Sequence, residues 1–386
     1  MVQHFVSGMA CYRGGVVIGY VFAGVAMLAL SQVVYLALVL AWVDARTSGN
    51  EYFGQTGDRR ARFRRILGRH ALLLAPTLWL LGKLTRFHFP GSSFTFRGVA
   101  GPKGMCSVET FAAAVTFKPR KGDVFVATQM KCGTTWMQHL VYQVLTRGQG
   151  DIVAEDTTLC AVSPWLESRK TIAVADAPEV PGTENARIIK THLPVSLCPY
   201  CREAKYIYVV RHPVSCFASC TDFLGANLGY LSPPLSVFEE WFCGRDSMWW
   251  GTWPAHVQGW WKWSQLRPNV LFLSFEQLKS DLSSTVRQLS AFLACNPLSG
   301  NELENILHKC SFSYMREHEA HFSMHPPQLM QRGAAFFVSG KGDRHADVPE
   351  EVAQRIKEWC RAELLQGEFP LSAYYPDVAQ AGSGGS

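Results

Sequence analysis

Residues 123–136 read DVFVATQMKCGTTW, and the change of character inside this stretch decides the fold. Its first seven residues, 123–129, form a short β-branched and aromatic run of the kind that is buried as a strand. After Met130, Lys131, Cys132 and Gly133 the pattern changes: Met137, Leu140, Val141, Val144 and Leu145 recur at i, i+3, i+4, i+7 and i+8, the period of an amphipathic helix. Where strand meets helix, a glycine lets the backbone approach an anion. Successive N–H groups and the helix N-terminus attract that anion, and Lys131 adds a point charge. The spacing is not GxxxxGK followed by Ser or Thr, which sets it apart from the loop of nucleotide hydrolases. Thr134 and Thr135 suit such a cradle, and they suit plain helix capping equally well.

Working outward, residues 187–191 (RIIKT), 206–210 (YIYVV) and 270–275 (VLFLSF) read as further strands. The last leads into a helix marked by Leu278, Leu282, Val286, Leu289 and Phe292. Strands alternating with helices imply an α/β domain, a mostly parallel sheet covered on both faces. No internal repeat is visible. Seven of the twelve tryptophans lie between Trp241 and Trp263, and a packed helical layer is their expected use.

Composition narrows the function classes. The chain has 386 residues, 48% hydrophobic and 18% charged, which excludes a disordered or fibrous protein. Its 37 Lys and Arg against 31 Asp and Glu give a net charge of +6, too mild for a nucleic-acid binder and suited to a small anionic ligand. Twelve cysteines are far fewer than a disulfide scaffold carries, and Cys216, Cys220 and Cys295 sit in apolar stretches, so a reducing compartment is expected. Cys198-Pro199-Tyr200-Cys201 resembles a redox dithiol but falls between two strands of the α/β pattern. The closing AGSGGS, residues 381–386, reads as a linker-like tail.

The first 45 residues are of another kind. Residues 14–43 carry no charge. A helix over 15–43 rises roughly 43 Å, against a hydrocarbon core of about 30 Å, so one tilted membrane span is expected. Arg13 alone precedes it, whereas Arg46, Arg59, Arg60, Arg62, Arg64, Arg65 and Arg69 follow. Positive charge stays on the cytoplasmic side, which places the large C-terminal part in the cytosol. Residues 46–110 read as a basic juxtamembrane region and linker, with 71–81 as a short interfacial or re-entrant helix. Residues 111–378 remain for the α/β domain.

Five blocks of this sequence, in order, resemble the PAPS-dependent sulfotransferases of the cytosolic type. TQMKCGTTW (128–136) is similar to that family's cradle TYPKSGTTW, and RIIKTHLP (187–194) to the strand and loop presenting its histidine. YIYVVRHPVSCFAS (206–219) resembles its 3′-phosphate segment, VLFLSFEQL (270–278) its VLFLxYEDL strand, and CSFSYM (310–315) its TSFxxM block. The resemblance implies the sulfotransferase fold, a P-loop-like parallel sheet flanked by helices, here preceded by a transmembrane helix. It implies 3′-phosphoadenosine 5′-phosphosulfate (PAPS) as co-substrate, no metal, no nucleic acid, and a small-molecule or lipid acceptor with a hydroxyl or amine.

Carried over residue by residue, the resemblance makes His192 the general base, Lys131 the cation on the leaving oxygen, and Lys190 the cation on the transferring sulfuryl group. It assigns the donor to Lys131, Cys132, Gly133, Thr134, Thr135 and Trp136, to Arg211 and Ser219 for the 3′-phosphate, and to Phe275, Cys310, Phe312 and Met315, with Trp136 and Phe312 sandwiching the adenine. Lys341 and Gly342 carry over from the closing loop RKGxxGDWK, which here reads GKGDRH (340–345). There Gly340 stands for the first arginine, and Arg344 is the available replacement cation. Phe275 replaces a tyrosine, Gln129 an aromatic and Met130 a proline. Two alternatives follow from the same residues: a lumenal carbohydrate sulfotransferase, and a non-catalytic nucleotide-binding scaffold favoured by the altered 340–345 loop.

Overall fold

The computed structural model describes residues 2–49, 51–55, 57–89, 93–324, 336–337 and 344–382. Two long helices open the chain, α1 (Val2–Arg46) and α2 (Gly57–Leu84). A hairpin of β1 (Ser93–Phe96) and β2 (Val99–Pro102) and helix α3 (Val108–Thr116) follow. The central elements are β3 (Asp123–Thr128), α4 (Thr134–Leu145), the single turn α5 (Leu159–Val162), β4 (Arg187–Thr191), β5 (Lys205–Val210) and α6 (Pro213–Leu228). Then come α7 (Leu235–Cys243), α8 (Trp253–Leu266), β6 (Val270–Ser274), α9 (Phe275–Ser280), α10 (Leu282–Phe292), α11 (Gly300–Lys309) and α12 (Phe312–Glu317).

The four central strands form a parallel sheet in the order β4-β3-β5-β6. Alternation along each strand sends neighbouring side chains to opposite faces. Phe125, Ala127, Ile189, Tyr206 and Tyr208 enter one core, while Val124, Val126, Ile188, Ile207 and Val209 enter the other. Both faces are covered, which is why these strands read as near-continuous apolar runs. Asp123 opposes Arg187 across the β3–β4 pair, and the buried guanidinium grips both carboxylate oxygens at 2.7 and 2.9 Å. The carboxyl ends of the strands are then aligned, and in such sheets that edge is where ligands bind.

Three stretches differ from the sequence reading. Residues 87–109, expected as a linker, contain the β1–β2 hairpin; Arg97 and Gly98 supply its turn at φ 49° and 79°, a two-residue loop matched to strand twist. Phe94 packs edge-on against Phe111 at 4.9 Å, so burial orders this segment. The helix expected across 278–292 breaks, because the Asp281 carboxylate accepts from the Ser284 amide at 2.9 Å and starts α10 afresh. The apolar block 71–81 belongs to one continuous helix with the basic run before it, Pro76 lying inside α2.

Residues Phe22–Arg46 of α1 are long and apolar enough to cross a membrane. Helix α2 runs antiparallel to α1: Trp42 stacks on Phe63 at 4.9 Å, Tyr35 hydroxyl meets His70 Nδ1 at 2.7 Å, and Thr77 donates to Gln32 at 3.2 Å. Both helices are fastened to the α/β body. Asp44 takes Arg169 and Lys170 at 2.7 and 2.8 Å, and Arg60 donates to the Ser323 carbonyl at 2.9 Å.

Candidate active site

The β3–α4 connection needs two left-handed residues in quick succession, Lys131 at φ 64° and Gly133 at φ 96°. A side chain at Gly133 would meet the Phe275 ring at 2.7 Å, so only glycine fits. Thr128 and Thr134 hydroxyls bond at 2.6 Å, closing the loop on itself. Thr135, the second residue of α4, is half-buried, and Cys132 lies beneath the loop with its sulfur 3.6 Å from that of Cys216. Across the gap, Arg211 Nη1 donates to the Lys131 carbonyl at 3.0 Å, and its guanidinium stacks over Phe275 at 4.6 Å. Among the described residues, the buried Arg211 Nε has no hydrogen-bond partner. A bound anion completes such a donor.

The rest of the expected donor set is close but not uniformly placed. Trp136 donates its indole N–H to the Cys310 carbonyl at 2.9 Å, and its ring meets Phe275 edge-on at 5.6 Å. Ser219 sits half-buried on α6, two turns beyond Arg211. Phe312 opens α12 in an exposed position, whereas Met315 is buried in the core. Lys341 and Gly342 lie outside the described residues. Arg344 is described, and it is committed elsewhere: it pairs with Asp347 at 2.8 Å and with Asp222.

One edge of the cradle is formed by His192, immediately past β4. Its Nδ1 lies 2.9 Å from the Thr128 carbonyl oxygen, and its own carbonyl accepts from His256 Nε2 at 2.9 Å. His256 Nδ1 in turn accepts from the Tyr208 hydroxyl at 2.9 Å. Burial, then the charge of Lys190, holds His192 well below the ordinary histidine value. Burial also brings Lys131 down to about 8, with Arg211 and Lys190 adding repulsion. Lys190 is lowered likewise by burial, its ammonium 3.6 Å over the Trp165 ring. Lys190 and His192 are buried and Lys131 is half-buried, and the charges of both lysines act on the imidazole, so the three expected catalytic side chains meet in one electropositive region.

Other residues of this pocket carry no signature in the sequence. Glu167 is fully buried, and accepts from the His192 amide at 2.7 Å and the Thr191 hydroxyl at 2.9 Å; burial raises its pKa. Segment 164–166 runs along β4 to put it there, bonded at Leu166 N and Lys190 N at 2.8 Å. Trp165 and Trp250 flank the His192 ring at 5.1 and 4.9 Å. Trp250 thus departs from the expected helical layer: it lies between α7 and α8 at φ 61°. Gln129 reaches the same loop, donating to the carbonyls of Trp249 at 3.1 Å and Gly251 at 2.5 Å.

A parallel α/β sheet with an anion cradle after its central strand, three converging cations and a neutral imidazole defines a class, the group-transfer enzymes that handle phosphorylated donors. Within it, the family model for the sulfotransferase domain matches residues 121–368, and the chain belongs to the sulfotransferase family. It is a PAPS-dependent sulfotransferase. Mouse sulfotransferase 1E1 is 30% identical over 280 residues, 70% of this chain and 92% of the relative. Human sulfotransferase 2A1 is 30% identical over 290 residues, 71% and 97% of the two chains. The fold is shared with retinol dehydratase solved with retinol and PAP, at TM-score 0.60, 22% identity and coverage of 73% and 92%. It is shared also with mouse sulfotransferase SULT7A1 solved with PAP, at TM-score 0.56, 20% identity and coverage of 74% and 98%.

Proposed function

We propose that the protein moves the sulfuryl group of PAPS onto the hydroxyl or amine of a small amphipathic or lipid-like acceptor, with His192 as general base. The observation that carries this reading is the His192 geometry. A carbonyl oxygen only accepts, so the 2.9 Å contact with Thr128 puts the ring proton on Nδ1 and leaves Nε2 free to take one. As the acceptor oxygen bonds to sulfur, its proton passes to Nε2 and the bridging S–O bond of the donor breaks. Charge gathers on the departing 5′-phosphate, where Lys131 offsets it, while Lys190 faces the sulfuryl oxygens. Arg211 and Ser219 hold the 3′-phosphate, the guanidinium with a fork that has one spare donor. Trp136 and Phe312 border the adenine.

The acceptor class is read from the walls. Trp165 and Trp250, 5.7 Å from one another, form an aromatic wall beside the base, which favours a ring or hydrocarbon skeleton over a sugar. Helix α1 anchors the enzyme, with the basic residues after it keeping the catalytic body in the cytosol. Radiolabelled sulfate transfer by the full chain tests both parts. Transfer to sterols and other lipid alcohols, lost in His192→Ala, is the expected result. Transfer that persists in that variant overturns the base, and preference for oligosaccharides overturns the acceptor class. Protection of the catalytic body from protease in sealed cytosol-side-out vesicles overturns the orientation.

A further inference from the structure

The outward side of α2 carries a pattern that sulfuryl transfer does not use. Arg62, Arg65 and Arg69 are exposed along its first half, and Leu72, Leu73, Trp79, Leu80 and Leu84 along its second. Spacings of three and four put them on one stripe. The opposite side, with Leu67, Leu74 and Leu78, is buried against Val39 of α1. Leu72 is 76% exposed, Leu73 63% and Leu84 70%, a contiguous apolar strip of the kind soluble surfaces avoid. Basic first and apolar second is the order of an anionic headgroup layer followed by acyl chains. Helix α1, packed against α2, also exposes apolar residues, among them Leu28, Val33 and Leu38.

The far end of α2 rests on the catalytic body. A side chain at Gly82 would lie 2.0 Å from the Tyr230 carbonyl oxygen, so the helix touches the turn Gly229–Leu231 backbone to backbone. That turn ends α6, whose Phe223 ring is 4.2 Å from the Lys131 ammonium. A half-open depression of about 280 Å³ lies there, lined by Gly225, Ala226, Gly229 and Tyr230.

We propose that α2 is a second membrane-docking element: its stripe seats in an anionic bilayer and holds the α6 end of the catalytic body against the lipid. The acceptor is then drawn from the acyl phase beside the site, a refinement that rests on the proposed function for its acceptor. The test places a photoreactive benzophenone side chain at position 80 of α2, and separately at position 28 of α1, in the full chain reconstituted in phosphatidylcholine vesicles. A thermal shift with adenosine 3′,5′-bisphosphate confirms that each protein is folded and binds nucleotide. Lipid adducts at both positions, with the adduct at 80 rising about threefold when phosphatidylserine replaces part of the phosphatidylcholine, is the expected result. An adduct at 28 without one at 80 overturns the docking of α2 and leaves the α1 anchor standing. Adducts at neither position overturn both. An adduct at 80 indifferent to phosphatidylserine overturns the role of the arginines. Loss of the nucleotide shift in every protein strikes the proposed function instead.

Discussion

The Nδ1 atom of His192 stands 2.9 Å from the carbonyl oxygen of Thr128, the last residue of β3 and, like His192 itself, one step past the final Ala127–Thr191 pair of the β3–β4 register. The tautomer follows from that contact, and the pH profile follows from the surroundings. Burial and Lys190 hold the His192 pKa well below 6.5. A lowered pKa keeps the basic form present as pH falls through 6.5, so kcat/KM should stay flat across the ordinary histidine range and decline only well below it. On the other side, Lys131 is the charged partner, and its pKa of about 8 means that its charge is lost as pH rises through that value. Donor kcat/KM should fall there. Steady-state kinetics across both limbs checks this; an acid limb centred on the usual histidine value would refute it.

His192→Gln removes the base and keeps a side chain that can still reach the Thr128 carbonyl. General-base loss costs about 10²–10⁴ in rate. The expected outcome is a fall of that size in kcat, with affinity for adenosine 3′,5′-bisphosphate by calorimetry nearly unchanged. An equal loss of both would instead make His192 a packing residue.

Arg211→Lys separates charge from shape. The guanidinium bonds the Lys131 carbonyl at 3.0 Å, stacks on Phe275 at 4.6 Å and keeps Nε in reserve. A lysine preserves the charge but loses the fork and the stacked plane. Affinity for adenosine 3′,5′-bisphosphate should drop about tenfold to a hundredfold, the effect of losing a bidentate charged contact. Affinity for adenosine 5′-phosphate, which lacks the 3′ group, should change little, and titration of both nucleotides decides the matter.

The sheet and the cradle were legible because their signals are local. Residues 123–128, 187–191 and 205–210 are strands whose apolar runs are continuous in sequence, and Gly133 announces a turn by its identity alone. What stayed hidden depends on distant partners. Glu167 is a single acid in an irregular segment, and only the path of 164–166 beside β4 brings it under His192. Trp250 looks like its six neighbours between 241 and 263, and its left-handed backbone, set by tertiary contacts, is what turns it to the imidazole. In α2, a proline and a change from basic to apolar residues suggested two pieces; packing against α1 along its length makes one helix.

Gly133→Ala tests the cradle's backbone. Position 133 has φ 96°, and a methyl group there would press on Phe275 at 2.7 Å. The left-handed conformation alone costs an alanine about 1–2 kcal/mol, and the clash adds to it. Thermal unfolding should shift down accordingly, and nucleotide affinity should fall with it because the amides of the proposed phosphate cradle are displaced. Restoring space with Gly133→Ala in a Phe275→Ala background should recover part of the stability but not the backbone term. A single variant as stable as the wild type would mean that the loop is not held in this conformation.

Gln129 joins the two halves of the site, and its removal should affect acceptor and donor unequally. Its amide donates to the carbonyls of Trp249 and Gly251, on either side of Trp250, while its oxygen accepts from the Met130 amide at the start of the cradle. Gln129→Ala leaves the buried Trp249 carbonyl and the half-buried Gly251 carbonyl without this donor, a loss of about 1–3 kcal/mol, and releases the loop that sets the Trp250 ring 4.9 Å from His192. The acceptor KM should therefore rise severalfold, whereas the nucleotide, held from the Arg211 side, should bind almost as before. Gln129→Glu is the sharper variant: it keeps the size but offers a carboxylate that repels both carbonyls, so it should be worse than alanine. If glutamate is tolerated better than alanine, or if donor and acceptor constants move together, the residue is filling space and the amide bridge is not what holds the tryptophan loop.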